Sequence, residues 1–256
     1  MRMAGLLEVC ADSVCSAVNA ARGGADRIEL CSALPLGGIS PDEDLFCMVR
    51  ERVDIPVRVL LRPRAGDFLY DEDEFELLCR QASRFAGLGA DGIVIGMLNP
   101  DGTLDAERMS ALMTCGDGCG VTLHRAFDVC RDAHEALRTA KKLGVDTILT
   151  SGQQAHCADG APLLRELVSE SGEGLRILIG GGVNADVIRA LAPQTGADAF
   201  HLSAKAAVPS CMEFRREAVP MGAAGLNEFE LWRCDEGAVR AAREALDAVC
   251  TARKEN

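Results

Sequence analysis

Two Glu-x-Cys tripeptides, Glu8-Val9-Cys10 and Glu29-Leu30-Cys31, sit inside short apolar runs. Successive side chains of a strand point to opposite faces, so Leu7 and Val9 share one face and leave Glu8 and Cys10 on the other. Ile28 and Leu30 leave Glu29 and Cys31 together in the same way. Alternation in later runs turns Arg62 and Arg64, Thr122 and His124, Thr150, and His201 and Ser203 toward the same interior. Converging carboxylates, imidazoles and guanidinium groups are the parts of acid–base chemistry. Glu8 or Glu29 would serve as general base, His124 or His201 as acid, and Arg62 with Arg64 as a charge clamp, with Asp128 completing the candidate catalytic set. Two acids on neighbouring strands repel, which raises the pKa of one unless the arginines neutralise both. Such a set suits an enzyme acting on a small anionic or phosphorylated substrate by proton transfer, aldol cleavage or hydrolysis. The competing reading is a compensated ion network that only fills the interior, with Arg62 neutralising Glu8 and Glu29.

A second constellation is made of backbone. Gly180-Gly181-Gly182 ends an apolar run and opens a helix near Asn184. N–H groups at such a turn, beside the run that ends His201-Leu202-Ser203, form an anion site in many barrels. Arg64, Gly181, Gly182 and Ser203 are the expected anion-binding residues. The other candidates read as ordinary structure. His134 belongs to a helix surface, His156 and Cys157 to an exposed loop, and the glycines of Cys115-Gly-Asp-Gly-Cys119 mark a loop rather than a metal cluster.

The elements that must hold these groups are eight short apolar runs, at 6–11, 27–32, 57–62, 92–97, 120–125, 147–151, 175–179 and 199–203. Their mean step of about 28 residues fits one strand and one helix, and hairpins would need far less. Helix signals lie between them: Ser40 as N-cap with Pro41 and three acids in the first turn, and a long helix over 71–88. Gly24, Gly89, Gly144 and Gly196 each stand two residues before an Asp that precedes an even-numbered run, where a left-handed C-cap would end the preceding helix. The pattern predicts a single-domain (β/α)8 TIM barrel over 1–256, whose active site would lie at the C-terminal strand ends. An open doubly wound sheet is the alternative, but no GxGxxG follows the first run. The stretch 206–234 departs from the repeat as an irregular excursion between the eighth strand and the last helix, at 235–252. Its Met221-Gly-Ala-Ala-Gly225 segment reads as a loop that covers a barrel mouth or makes a subunit contact.

Composition narrows the partners. Apolar residues make up 48% and charged residues 26% of the 256, the proportions of a globular protein rather than a disordered one. With 27 Lys and Arg against 39 Asp and Glu the net charge is −12, and no basic run could track a phosphate backbone, so nucleic acid is not an expected partner. No window is apolar enough to span a membrane, and the apolar stretch 4–7 stops at Glu8, too short for a signal-peptide core. A cytoplasmic protein is expected, and its twelve scattered cysteines read mostly as reduced core thiols.

Several motifs in fixed order then carry a resemblance. Leu7-Glu-Val-Cys10, Gly23-Gly-Ala-Asp-Arg-Ile-Glu-Leu-Cys31, Arg62-Pro-Arg-Ala-Gly-Asp-Phe68, His124-Arg-Ala-Phe-Asp128, Leu149-Thr-Ser-Gly152 and Gly180-Gly-Gly-Val183 together resemble the CutC copper homeostasis family. The likeness runs from about Leu6 to the end of the chain. It implies a cytoplasmic (β/α)8 barrel, assembled as a homodimer or higher homo-oligomer, linked to copper tolerance and binding Cu(I). The cysteines proposed as copper ligands in the family correspond to Cys10 and Cys31. Thiolates are soft ligands that select Cu(I), and strands about 4.8 Å apart would bring two sulfurs to one ion. This chain departs from the family pattern at Leu36, where an acidic residue is usual, and at Ala65, where glycine is usual.

Overall fold

A computed structural model describes residues 5–216, 219 and 227–253. Eight parallel strands run in sequence order and close into a barrel: β1 (Leu6–Ala11), β2 (Arg27–Leu30), β3 (Val57–Leu60), β4 (Gly92–Ile95), β5 (Gly120–Leu123), β6 (Thr147–Thr150), β7 (Arg176–Ile179) and β8 (Ala199–Leu202). Helices α1 (Val14–Arg22), α2 (Glu43–Arg50), α3 (Glu72–Gly87), α4 (Ala106–Cys115), α5 (Ala133–Leu143), α6 (Ala161–Ser171) and α7 (Ala185–Thr195) return the chain between strands, and α8 (Glu236–Ala252) follows the last. The (β/α)8 barrel expected from the run spacing is the observed fold.

The main apolar core lies between sheet and helices. Val9, Ile28, Val59, Ile93 and Ile148 face outward and pack on helix residues such as Phe46, Phe85 and Leu246. Each such side chain contributes roughly 1.5–3 kcal/mol through burial. The barrel interior is different, because its apolar residues form only two small clusters, Cys31–Leu60–Val94 and Leu149–Leu178–Ala199. Buried between them are Glu8, Arg27, Glu29, Arg58, Thr122, Thr147 and Thr150.

The Gly-x-Asp repeat has a two-part role. Gly24, Gly89, Gly144 and Gly196 all have positive φ, from +80° to +94°, as a left-handed helix stop requires. The aspartates then tie the preceding strand: Asp26, Asp91 and Asp146 accept the N–H of Leu7, Val57 and Val121 at 2.7–2.8 Å. Two local expectations are corrected. The N-cap of α2 is Asp42, whose carboxylate accepts the Asp44 N–H, because Ser40 is used elsewhere: its hydroxyl accepts the Arg62 N–H at 2.9 Å and lies 2.8 Å from Gln81 Oε1. The excursion at 206–234 is irregular only in part, since β9 (Lys205–Pro209) and β10 (Glu230–Cys234) pair antiparallel in a ribbon anchored by Asn19 and Ser16 of α1 to Cys234. The expected loop at 221–225 lies outside the described residues. Among the described residues, no helix is long and apolar enough to cross a membrane.

Candidate functional site

Strand register assembles the floor of the site. Glu8 is the register partner of both Arg27 and His201. Its carboxylate, fully buried, takes Arg27 Nε at 2.5 Å on one oxygen and His201 Nδ1 at 2.8 Å on the other. Burial alone would raise the Glu8 pKa, but the Arg27 charge and the His201 hydrogen bond bring it down to about 2. Burial likewise opposes the charge on His201, yet contacts with Cys10, Glu29 and Glu8 carry its pKa well above the ordinary value. Glu29 feels the charges of His201 and Arg27, but they do not outweigh its burial. Burial, with the Glu8 charge adding to it, pushes its pKa up to about 7, and Oε2 has no hydrogen-bond partner. The repulsion expected between the two acids therefore falls on Glu29.

Arg27, not Arg62, neutralises Glu8, and sequence reasoning passed over it. The signal was available, because Arg27 has the same strand parity as Glu29. Arg58 was missed for the same reason; it shares parity with Leu60 and Arg62 and reaches Thr122 Oγ1 at 2.7 Å and both Asp146 oxygens at 2.7 and 2.9 Å. Two arginines thus fill the lower barrel where branched apolar residues are usual.

Above this floor, at the C-terminal strand ends, a cavity of about 270 Å³ opens. Cys10, Glu29, Cys31 and His201 line it from β1, β2 and β8, while Arg62, His124, Gly181, Gly182 and Ser203 line it from the loops and strand ends around the mouth. Glu8 lies below, outside the lining. The Cys31 thiol points at the Ala11 carbonyl, 3.6 Å away, and burial holds it protonated far above the usual thiol range. His124 turns Nδ1 to the Ala126 N–H at 3.1 Å, which leaves the ring proton on Nε2, a buried atom with no partner. Burial first and the Arg62 charge second push its pKa down to about 3, so His124 is a neutral hydrogen-bond donor rather than an acid.

Three sequence-derived assignments change here. Arg62 lines the cavity but spends both Nη groups on backbone: Nη1 donates to the Gly38 carbonyl at 3.0 Å and Nη2 to that of Gly66 at 2.8 Å, while its buried Nε has no partner and Phe68 lies under it with the ring centre 5.1 Å away. Arg64 is outside the cavity, held by Glu74 at 2.5 Å and Asp67 at 3.0 Å, so the expected Arg62–Arg64 clamp does not form. Asp128 is also outside the lining. Its oxygens accept from the Thr150 hydroxyl at 2.5 Å, the Ser151 N–H at 3.0 Å and Arg125 Nε at 2.6 Å, which makes it a brace for two loops. Arg125, by contrast, lines the cavity. The expected exposed pair also splits: His156 is exposed beside Gly182, whereas Cys157 is buried. His134 is at the surface, against Glu166 and Glu170.

The mouth also stores backbone strain. The non-glycine residues with positive φ among those described are Ala33, Gln153 and Ala204, which follow β2, β6 and β8 on this face. Each such conformation costs on the order of 1–3 kcal/mol and concentrates at functional sites. Among the described residues, the trio of metal-ligand types whose atoms lie within 4.8 Å of one another is Glu8, Glu29 and His201. Arg27 and His201 already satisfy Glu8, whereas Glu29 Oε2 has no hydrogen-bond partner. The soft donors in the cavity lining are the thiols of Cys10 and Cys31.

A model of the CutC family matches residues 5–206. A Bacteroides fragilis protein described as family protein CutC is 44% identical over 227 residues, covering 88% of this chain and 90% of that protein. The human copper homeostasis protein cutC homolog is 43% identical over 237 residues, covering 92% of this chain and 86% of that protein. A crystal structure of a CutC copper homeostasis protein from Streptococcus agalactiae superposes with a TM-score of 0.74 at 26% identity, over 78% of this chain and 98% of that one.

Proposed function

The chain belongs to the CutC family, and from that premise we propose that it serves copper homeostasis by binding Cu(I) as cargo through Cys10 and Cys31. The observation that carries this reading is that both thiols, one on β1 and one just past the end of β2, line one cavity at the C-terminal strand ends of the barrel. Cu(I) is soft and prefers thiolate to carboxylate or water. A Cu(I) ion held by two thiolates carries one net negative charge, and the imidazole of His201, which lies against Cys10 and is held charged, offsets it. Binding displaces the thiol protons, so Cu(I) supplies the energy that burial withholds from the Cys31 thiolate.

A cytoplasmic, homo-oligomeric protein is part of the same reading. All twelve cysteines are free, which suits a reducing compartment. Val208 and Leu231, register partners on the ribbon, are 43% and 42% exposed and offer apolar surface to a second copy. The test is competition between the reduced protein and a Cu(I) chelator. Replacing Cys10 and Cys31 together with Ser should weaken binding by about tenfold or more, roughly 1.4 kcal/mol. Unchanged affinity would move the site to the remaining cysteines and sink the assignment.

A further inference from the structure

Part of the cavity wall consists of donors that find no acceptor among the described residues. Gly181 and Gly182, at φ +96° and +87°, turn the chain so that neither N–H makes a hydrogen bond. Arg125 gives Nε to Asp128 at 2.6 Å and Nη2 to Ser151 at 2.8 Å, which leaves Nη1 at the Gly181 turn, 3.7 Å from where a Cβ would stand. The Ser203 hydroxyl completes the group from the loop after β8. A fifth donor is independent of that turn: His124 Nε2 carries a proton, is buried and has no partner, and its ring lines the same cavity. Charge points the same way. In a chain of net charge −12, Glu29 is the sole acid among the lining residues, against Arg62 and Arg125.

We infer that this cavity binds a small phosphorylated molecule, its phosphate held by Arg125, Gly181, Gly182 and Ser203 and a second oxygen accepting the Nε2–H of His124. Donors arriving from three loops suit a tetrahedral phosphate better than a planar carboxylate, and a buried idle donor is paired once the ligand is bound. The cavity admits a molecule of only a few carbons. The inference uses neither cysteine and stands apart from the copper reading, although both place their ligands in one cavity.

Calorimetric titration of the metal-free full chain tests it, with inorganic phosphate, 2-phosphoglycolate and acetate as probes at constant ionic strength. Wild type should bind 2-phosphoglycolate about tenfold more tightly than phosphate, and acetate far more weakly than either. Ser203→Ala should weaken both phosphate-bearing probes by several-fold. His124→Asn keeps an oxygen to cap the Ala126 N–H but no longer reaches the Nε2 position, so it should remove the preference for phosphoglycolate and leave phosphate binding within about twofold. No heat from either phosphate-bearing probe at about 10 mM, or affinities unchanged in both variants while circular dichroism shows them folded, would overturn the inference. If one variant fails to fold, the other still decides. Wild-type Cu(I) competition is a separate measurement, so either reading can fail alone.

Discussion

His124 concentrates the interior's sensitivity to acid. Its pKa lies near 3, against an ordinary 6.5, because the ring is buried and faces the Arg62 charge. An unfolded chain takes up that proton near pH 6.5 while the folded chain does not. The stabilisation from the neutral ring is therefore complete above 6.5 and drains as the pH falls toward 3, by up to about 1.4 kcal/mol per pH unit. Glu8 acts in a lower window. Its depressed value, about 2, contributes stability above an unfolded 4.5 that is lost only as the pH falls through the region below it. Between pH 6.5 and 5 the two separate. Glu29, raised to about 7, is protonated in the fold but not in the unfolded chain, and adds stability as the pH falls, in wild type and variant alike. His124→Asn should therefore lose less, or gain more, melting temperature than the wild type over this interval. Parallel slopes would mean that the ring is protonated in the fold.

At this scale much was legible from alternation alone, which placed Glu8, Cys10, Glu29, Cys31, Thr122, His124 and His201 in the interior or at its mouth. Partners were not legible. Nothing in the sequence distinguishes an arginine that meets a carboxylate from one that meets carbonyls, and Arg62 meets carbonyls because the loop at 36–38 folds over it.

Elements fix which charges meet. β1 and β2 pair with Glu8 opposite Arg27, so that contact is set by register, whereas Arg62 extends from the end of β3 into the mouth loops. Removing the charge of Glu8 together with Arg27 should therefore show coupling. Arg27→Met and Glu8→Gln should deviate from additivity by about 1–3 kcal/mol in denaturant unfolding, while Arg62→Met and Glu8→Gln should add within about 0.5 kcal/mol. Strong coupling of Arg62 to Glu8 would return Arg62 to the role of neutraliser. Strand positions were read to within a residue or two because the apolar runs end where the mouth loops begin. The start of α2 was misplaced because Ser40 and Asp42 are both good caps, and only the position of Arg62 decides which is free to act.

At the scale of the whole molecule, the regular spacing of the runs specified the barrel, and right-handed strand–helix units leave few other ways to bury both faces of a parallel sheet. The polar interior was legible as well. The ribbon of β9 and β10 was not, since its strands carry exposed apolar residues without the alternation of a half-buried sheet. The barrel thus presents a charged, buried floor, two thiols above it and a cation-rich mouth, and copper is proposed at those thiols. Anomalous diffraction at the copper edge, from crystals of the reduced protein loaded with Cu(I), locates the ion directly. The predicted result is a peak between the Sγ atoms of Cys10 and Cys31. A peak within the Glu8–Glu29–His201 network or at other cysteines, with none between these two, would contradict it.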